Sequence, residues 1–136
     1  MSYALSAALQ SAVYQKLIGD AALSGLVGAD IYDTLPSGLA PRLYVSLGPE
    51  TAKDASDYTS HGALHRFTIS VIADEAGFSA AKTVAAAVCD ALVDADLTMS
   101  RGRLVALGFE RATAKRDDGD SARRIDLQFR ARVEDS

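Results

Sequence analysis

The sequence predicts an α+β fold: about four antiparallel strands in one sheet, with two helices packed on one of its faces. Three observations carry this. Ile125, Leu127, Phe129, Ala131 and Val133 alternate with Arg124, Asp126, Gln128, Arg130 and Arg132, the period of a strand with one apolar and one charged face. Leu5, Ala8, Leu9, Ala12, Val13 and Leu17 recur at three- and four-residue spacings, as do Ala81, Val84, Ala85, Val88, Ala91 and Leu92, so each set makes an apolar stripe on a helix. The elements follow in the order α-β-β-α-β-β, which segregates helices from a sheet of neighbouring strands.

Ser2 is placed to cap the first helix, which runs to about Ile18 and stops at Gly19. Asp20 caps a short second turn through Leu26, closed by Gly25 and Gly28. Ile31-Tyr32 has room only for a brief strand, and the two prolines and the glycine between Asp33 and Pro41 make a loop. Leu43, Val45 and Leu47 alternate with Tyr44 and Ser46, giving a strand over 42–49. Residues 50–62 are polar and show no apolar period, so they read as a long loop or arm, longer than a hairpin needs. Such a loop is either a binding arm that orders against a partner or a mobile connection. Phe67, Ile69, Val71 and Ala73 mark the next strand, 64–73; Asp74-Glu75-Ala76-Gly77 then turns the chain into a helix capped by Ser79 and ending near Val93.

Residues 103–133 form a terminal hairpin, opened by the apolar run Leu104 to Phe109 and turned at Asp118-Gly119. That turn sets Leu104 against Val133, Ala106 against Ala131, Gly108 against Phe129 and Ala112 against Ile125, with Glu110 opposite Leu127 as the poor fit. Arg111 then pairs with Asp126, and Val105, Leu107 and Phe109 stand beside Arg132, Arg130 and Gln128 on the outward face. An apolar row there marks a contact with another molecule. A bulge shifting the register by one would instead bury the three. The tail Glu134-Asp135-Ser136 reads as frayed. Because both helices take one face, the other is left uncovered by its own chain, which points to assembly.

The 136 residues suit a single domain, 1–136. The net charge of −4 hides an asymmetry: residues 1–100 carry 5 basic and 11 acidic side chains, residues 101–136 carry 9 and 7. The hairpin is thus the positive end of an acidic chain, its bases interleaved with acids as on a solvated strand face rather than clustered as in a nucleic-acid footprint. No run of eighteen apolar residues could span a membrane, and the start lacks the basic region of a signal peptide. The lone Cys89 forms no internal disulfide, which fits intracellular synthesis, and it reads as a small buried residue beside its helical stripe.

No catalytic constellation stands out. His61 and His65 are four apart, but at a loop end and a strand start, so the helical metal-ligand geometry does not apply. Asp117-Asp118-Gly119-Asp120 lacks the ligand spacing and distal glutamate of a calcium loop. No glycine cluster sits between strand and helix at phosphate-binding spacing, and no serine or cysteine has an evident base. Neither enzyme activity, a cofactor nor a metal is expected.

The segments Ala8-Leu9-Gln10 to Leu17, Asp20 to Gly28, Ile31-Tyr32-Asp33 and Pro41 to Gly48 form one pattern with Gly62, His65 to Ile72, Gly77-Phe78 and the helix Ala81 to Leu92. Over nearly the whole chain this resembles the phage tail-completion family, the tail terminators or tail-to-head joining proteins, especially the member found in gene transfer agent particles. Arg42 departs from the family pattern. The resemblance implies a ring, commonly of six subunits, that caps the tail tube, stops its growth and joins the tail to the head-side stopper. It implies as partners further copies of the chain, the tail tube protein, the stopper or connector protein and the tape measure protein, with DNA only as cargo in the lumen and no membrane. It places the protein, made in the bacterial cytoplasm, at the head–tail junction of the particle. In this reading Val105, Leu107, Phe109, Arg130 and Arg132 form the subunit contact, and Lys53, Asp57, Tyr58 and His61 lie on the partner-contacting loop. The alternatives are a head-completion or stopper protein, and an unrelated small-ligand-binding or enzymatic α+β domain, which would need a pocket of convergent polar groups.

Overall fold

A computed structural model describes residues 3–33, 41–58, 61–74, 78–116 and 122–135. Helices α1 (Ser6–Ile18), α2 (Ala21–Val27) and α3 (Ser79–Leu92) accompany strands β1 (Ile31–Tyr32), β2 (Leu43–Asp54), β3 (His61–Ala73), β4 (Arg103–Arg116) and β5 (Arg123–Asp135). The sheet runs β1-β2-β3-β5-β4, with β1 parallel to β2 and every other neighbour antiparallel. The fold is therefore α+β as expected, but the sheet is five-stranded and mixed, and there are three helices.

The fifth strand and the third helix are the brief strand at Ile31-Tyr32 and the short turn after Asp20, too short to be counted among the main elements. Ile31 and Tyr32 align with Val45 and Ser46, and the Val45 N–H donates to the Asp30 carbonyl at 3.0 Å, which fastens β1 to the sheet edge. Asp20 caps α2 by accepting from the Leu23 N–H at 3.0 Å, and Gly28, at φ +60°, ends it in a conformation that favours glycine. The predicted Ser79 cap is not made, and the predicted Ser2 cap cannot be placed. Ser2 lies outside the described residues, and α1 starts at Ser6 after Leu5. Ser79 is the first residue of α3, with Phe78 in the cap position.

Both helical stripes are buried as their spacing requires. α1 and α2 each contact α3, and α3 lies on β3, β5 and β4. Beneath them Phe67 stacks on Phe129 at 5.7 Å between centroids, amid Ile69, Val71, Ile125 and Leu127. Each such side chain removed from water contributes about 1.5–3 kcal/mol, which fixes the sheet face that the helices cover.

The expected long loop at 50–62 is mostly strand. A bulge between Leu47 and Glu50 carries β2 on to Asp54, paired with Ala63, so only 55–60 connects the two strands. Beyond the bulge nearly every β2 side chain is exposed, so burial imposes no alternation that the sequence could display. The tail also differs: Glu134 and Asp135 belong to β5 and pair with Gly62 and His61. Ser136 and the Asp118-Gly119 turn lie outside the described residues.

The terminal hairpin begins in the expected register, Leu104 opposite Val133, and then slips twice. A bulge between Leu104 and Ala106 sets Leu107 against Ala131 and Phe109 against Phe129; a second, between Phe109 and Arg111, sets Arg111 against Gln128 and Thr113 against Asp126. The first slip puts Leu107 among the helices, next to a small residue. The second removes Glu110 from its poor place opposite Leu127. A bulge exchanges one unpaired residue for a side chain on the right face, and here it does so twice.

Candidate assembly surface

The predicted contact row is split by these bulges. Leu107 is 2% exposed and belongs to the core, so it cannot be a surface contact as expected. Val105 and Phe109 are 43% and 46% exposed, and Phe109 rests edge-on against Phe129 at 6.0 Å. Both lie on β4, the edge strand. The Asp94 N–H donates to the Leu107 carbonyl at 3.0 Å, so the connection after α3 closes the edge at that point. From Phe109 to Arg116 the strand is exposed, and among the described residues no backbone hydrogen bond covers its outer edge. An open edge is a template for pairing with another chain, and Arg111, Lys115 and Arg116 are the charges that discourage unwanted pairing there.

The sheet face opposite the helices is polar, and no described helix lies on it. Glu110 accepts from Arg66 Nε at 3.1 Å through each of its oxygens and from Gln128 Nε2 at 2.7 Å, tying β4 to β3 and β5. Asp126 accepts from the Ser70 hydroxyl at 2.6 Å and from Arg124 Nε at 2.8 Å, with Lys115 Nζ at 3.6 Å. Burial pushes the Asp126 carboxyl up, but these donors and cations outweigh it and leave it below its ordinary range. Of the two predicted contact arginines, Arg130 is exposed and makes no ion pair with a described residue. Arg132 instead donates through Nη2 to the Ala55 carbonyl at 3.0 Å, holding the end of the β2–β3 ribbon.

That ribbon carries the other predicted residues. Lys53 is exposed on β2, Asp57 and Tyr58 stand exposed on the connection, and His61 opens β3 opposite Asp135. They cluster at the end of the sheet where β2 meets β3, and Val105 lies at that same end but across β3 and β5 on the β4 edge.

Sequence reasoning missed one constellation. His65 is fully buried, its Nδ1 2.8 Å from Glu50 Oε2, and Glu50 Oε1 also accepts from the Tyr3 and Ser6 hydroxyls. Tyr3 stacks over the imidazole at 6.2 Å. The signal was present: His65 falls on the buried period of Ala63, Phe67, Ile69 and Val71, and a buried histidine requires a partner. Burial pushes Glu50 up, and the Tyr3, Ser6 and His65 hydrogen bonds bring it below its ordinary value. The network fastens the start of α1 to the extended part of β2. Among the described residues no three His, Cys, Asp or Glu side chains gather closely enough to hold a metal ion.

A small α+β domain with an open strand edge and an open polar sheet face has the form of a subunit built to assemble. Residues 11–134 match the model of the family described as tail completion protein gp17, and the chain belongs to that family. It is a structural component of a phage-type tail. A chain in the solved virion of a native gene transfer agent particle is 61% identical, with a TM-score of 0.93 over 98% of this chain and 99% of that one. A comparison with curated proteins finds no match.

Proposed function

We propose that this protein is the tail terminator of a gene transfer agent or related phage-like particle. It would form a six-subunit ring that caps the tail tube, stops its polymerisation and joins the tail to the head-side stopper, made in the bacterial cytoplasm and built in at the head–tail junction. The observation that carries the reading is the open stretch of β4 from Phe109 to Arg116, in a chain of the tail completion family that is 61% identical to a gene transfer agent virion chain. A ring of identical subunits needs two different surfaces on each, one docking into the other on its neighbour. The β4 edge with Val105 and Phe109 supplies one, and the ribbon end with Lys53, Asp57, Tyr58 and His61 supplies a second, or the contact to tube, tape measure protein or stopper.

Native mass spectrometry of the protein, alone and with its tail tube protein, tests this. A hexamer in either sample, lost in Phe109→Glu while the monomer stays folded, is the expected result. A monomer in both samples with no binding to the tube, or binding directly to the portal, would overturn it in favour of another connector protein.

A further inference from the structure

We propose that the open face of the sheet binds the phosphate backbone of duplex DNA. Residues directly opposite across antiparallel strands share a face, so Arg66, Arg111, Lys115, Arg124, Arg130 and Arg132 all project from β3, β4 and β5 on the side away from the helices. The acids on that face are Glu110, Asp126 and Glu134, and each already holds cations of its own chain. Glu110 holds Arg66, Asp126 holds Arg124 and Lys115, and Glu134 holds Arg103 and Arg132. Arg111 and Arg130 are left with no ion pair among the described residues, so the face is a positive surface on a chain of net charge −4.

Arg66 lies directly opposite Arg130, and Lys115 directly opposite Arg124. Asp126 bridges the second pair and Glu110 offsets the first through Arg66, which leaves Arg130 as the member with no counter-ion among the described residues. A row of anions outside the protein would supply one. Arg124 and Arg130 are six positions apart on one strand, about 20 Å, so the row is long enough to meet several phosphates of a duplex.

The chemistry of the face selects among anionic partners. Its centre is Arg66, Thr68, Gln128 and Arg130, whereas the centre of a protein interface is depleted in charge and rich in aromatic side chains. A site for single strands would need a series of aromatic platforms for unstacked bases, and on this face β3 and β5 present none, with Phe109 of β4 alone at its border beside Arg130. Arginine forks on a flat sheet suit backbone phosphates without reading sequence.

The inference does not rest on the ring. Duplex binding is read on whatever assembly the protein forms, and assembly is read separately by native mass spectrometry. The experiment is fluorescence anisotropy with a labelled duplex of about 30 base pairs and its single strand, at about 50 and about 200 mM salt. The protein is wild type, Arg111→Gln/Arg130→Gln, and Lys16→Gln, which removes an exposed cation of α1. The substituted arginines anchor nothing in the described chain, and urea midpoints confirm that the variants are folded. Micromolar or weaker duplex binding is expected at low salt, about tenfold weaker in the double variant, with a salt slope smaller by about 2 and no change in Lys16→Gln. No duplex binding by folded protein at low salt would overturn the proposal. So would unchanged binding by the double variant, a preference for the single strand, or a double variant that loses only its contact with an acidic protein.

Discussion

His65 Nδ1 lies 2.8 Å from Glu50 Oε2 across the β2–β3 pair, while His65 Nε2 is buried with no partner among the described residues. With Glu50 ionised, the carboxylate can only accept, so Nδ1 carries the hydrogen between them. Tyr3 and Ser6 add their hydroxyls to the same carboxylate. Its folded pKa is therefore lowered, so its contribution is complete above the ordinary carboxyl value, about 4.3, and is lost as pH falls through the folded value. Glu50→Gln should lower stability at neutral pH by about 1–3 kcal/mol and flatten the acid side of the stability profile. Urea midpoints from pH 7 down to pH 3 measure it. An unchanged acid slope in the variant would show that the network does not hold the folded protein together.

Leu107 and Phe109 should behave as different kinds of residue, although only one residue separates them. Leu107→Ala opens a cavity beneath the helices and should cost about 2–5 kcal/mol. Phe109→Ser loses half-exposed area and one edge-on ring contact, which amounts to about 1.5 kcal/mol or less. Leu107→Glu should leave the chain unfolded, not merely unassembled. Equal midpoints for the two milder variants would show that the first bulge is misplaced.

Where the sequence was legible, one face was buried and the other was not. The stripes of α1 and α3 and the alternation in β3 and β5 are the direct print of that burial, and the residues expected inside are inside. The bulges left no print, because a one-residue slip changes a strand's facing without changing its composition. The misplaced Glu110 was the visible symptom, and its resolution moved Leu107 from the contact row into the core. The second half of β2 was illegible for want of a buried face, whereas the brief strand expected at Ile31-Tyr32 is present and only its parallel pairing with β2 went unread. Arg132 read as a contact for neighbours because its acceptor, the Ala55 carbonyl, lies 77 residues away.

Gly102 should resist substitution where Gly108 accepts it. Gly102 enters β4 at φ +67°, and a Cβ there would meet the Glu134 carbonyl at 2.6 Å and the Leu5 side chain at 2.8 Å. The left-handed backbone alone costs an alanine about 1–2 kcal/mol, and the clash adds to it. Gly108 has open space around its missing Cβ, so Gly108→Ala should be neutral or should stabilise the strand by up to about 1 kcal/mol. Thermal unfolding of both variants decides it, and a neutral Gly102→Ala would contradict the close approach of β5 to the start of α1.

Arg132 should act as a clamp on the ribbon rather than as a pillar of the fold. Its Nη2 donates to the Ala55 carbonyl at 3.0 Å, and Gly62 makes room for it, since a Cβ there would sit 2.8 Å from that nitrogen. The contact joins β5 to the point where the β2–β3 ribbon turns, the end that presents Lys53, Asp57, Tyr58 and His61. Arg132→Ala removes one partly exposed hydrogen bond, so the global midpoint should shift by about 1 kcal/mol or less. Amide exchange at residues 52–55 and 61–64 should quicken by several-fold, because that end then opens locally without global unfolding. Arg132→Lys should restore little, since an ammonium lacks the planar fork that reaches past Gly62. Unchanged exchange across the ribbon in Arg132→Ala would mean that strand pairing alone holds it, and that the guanidinium is free for a partner after all.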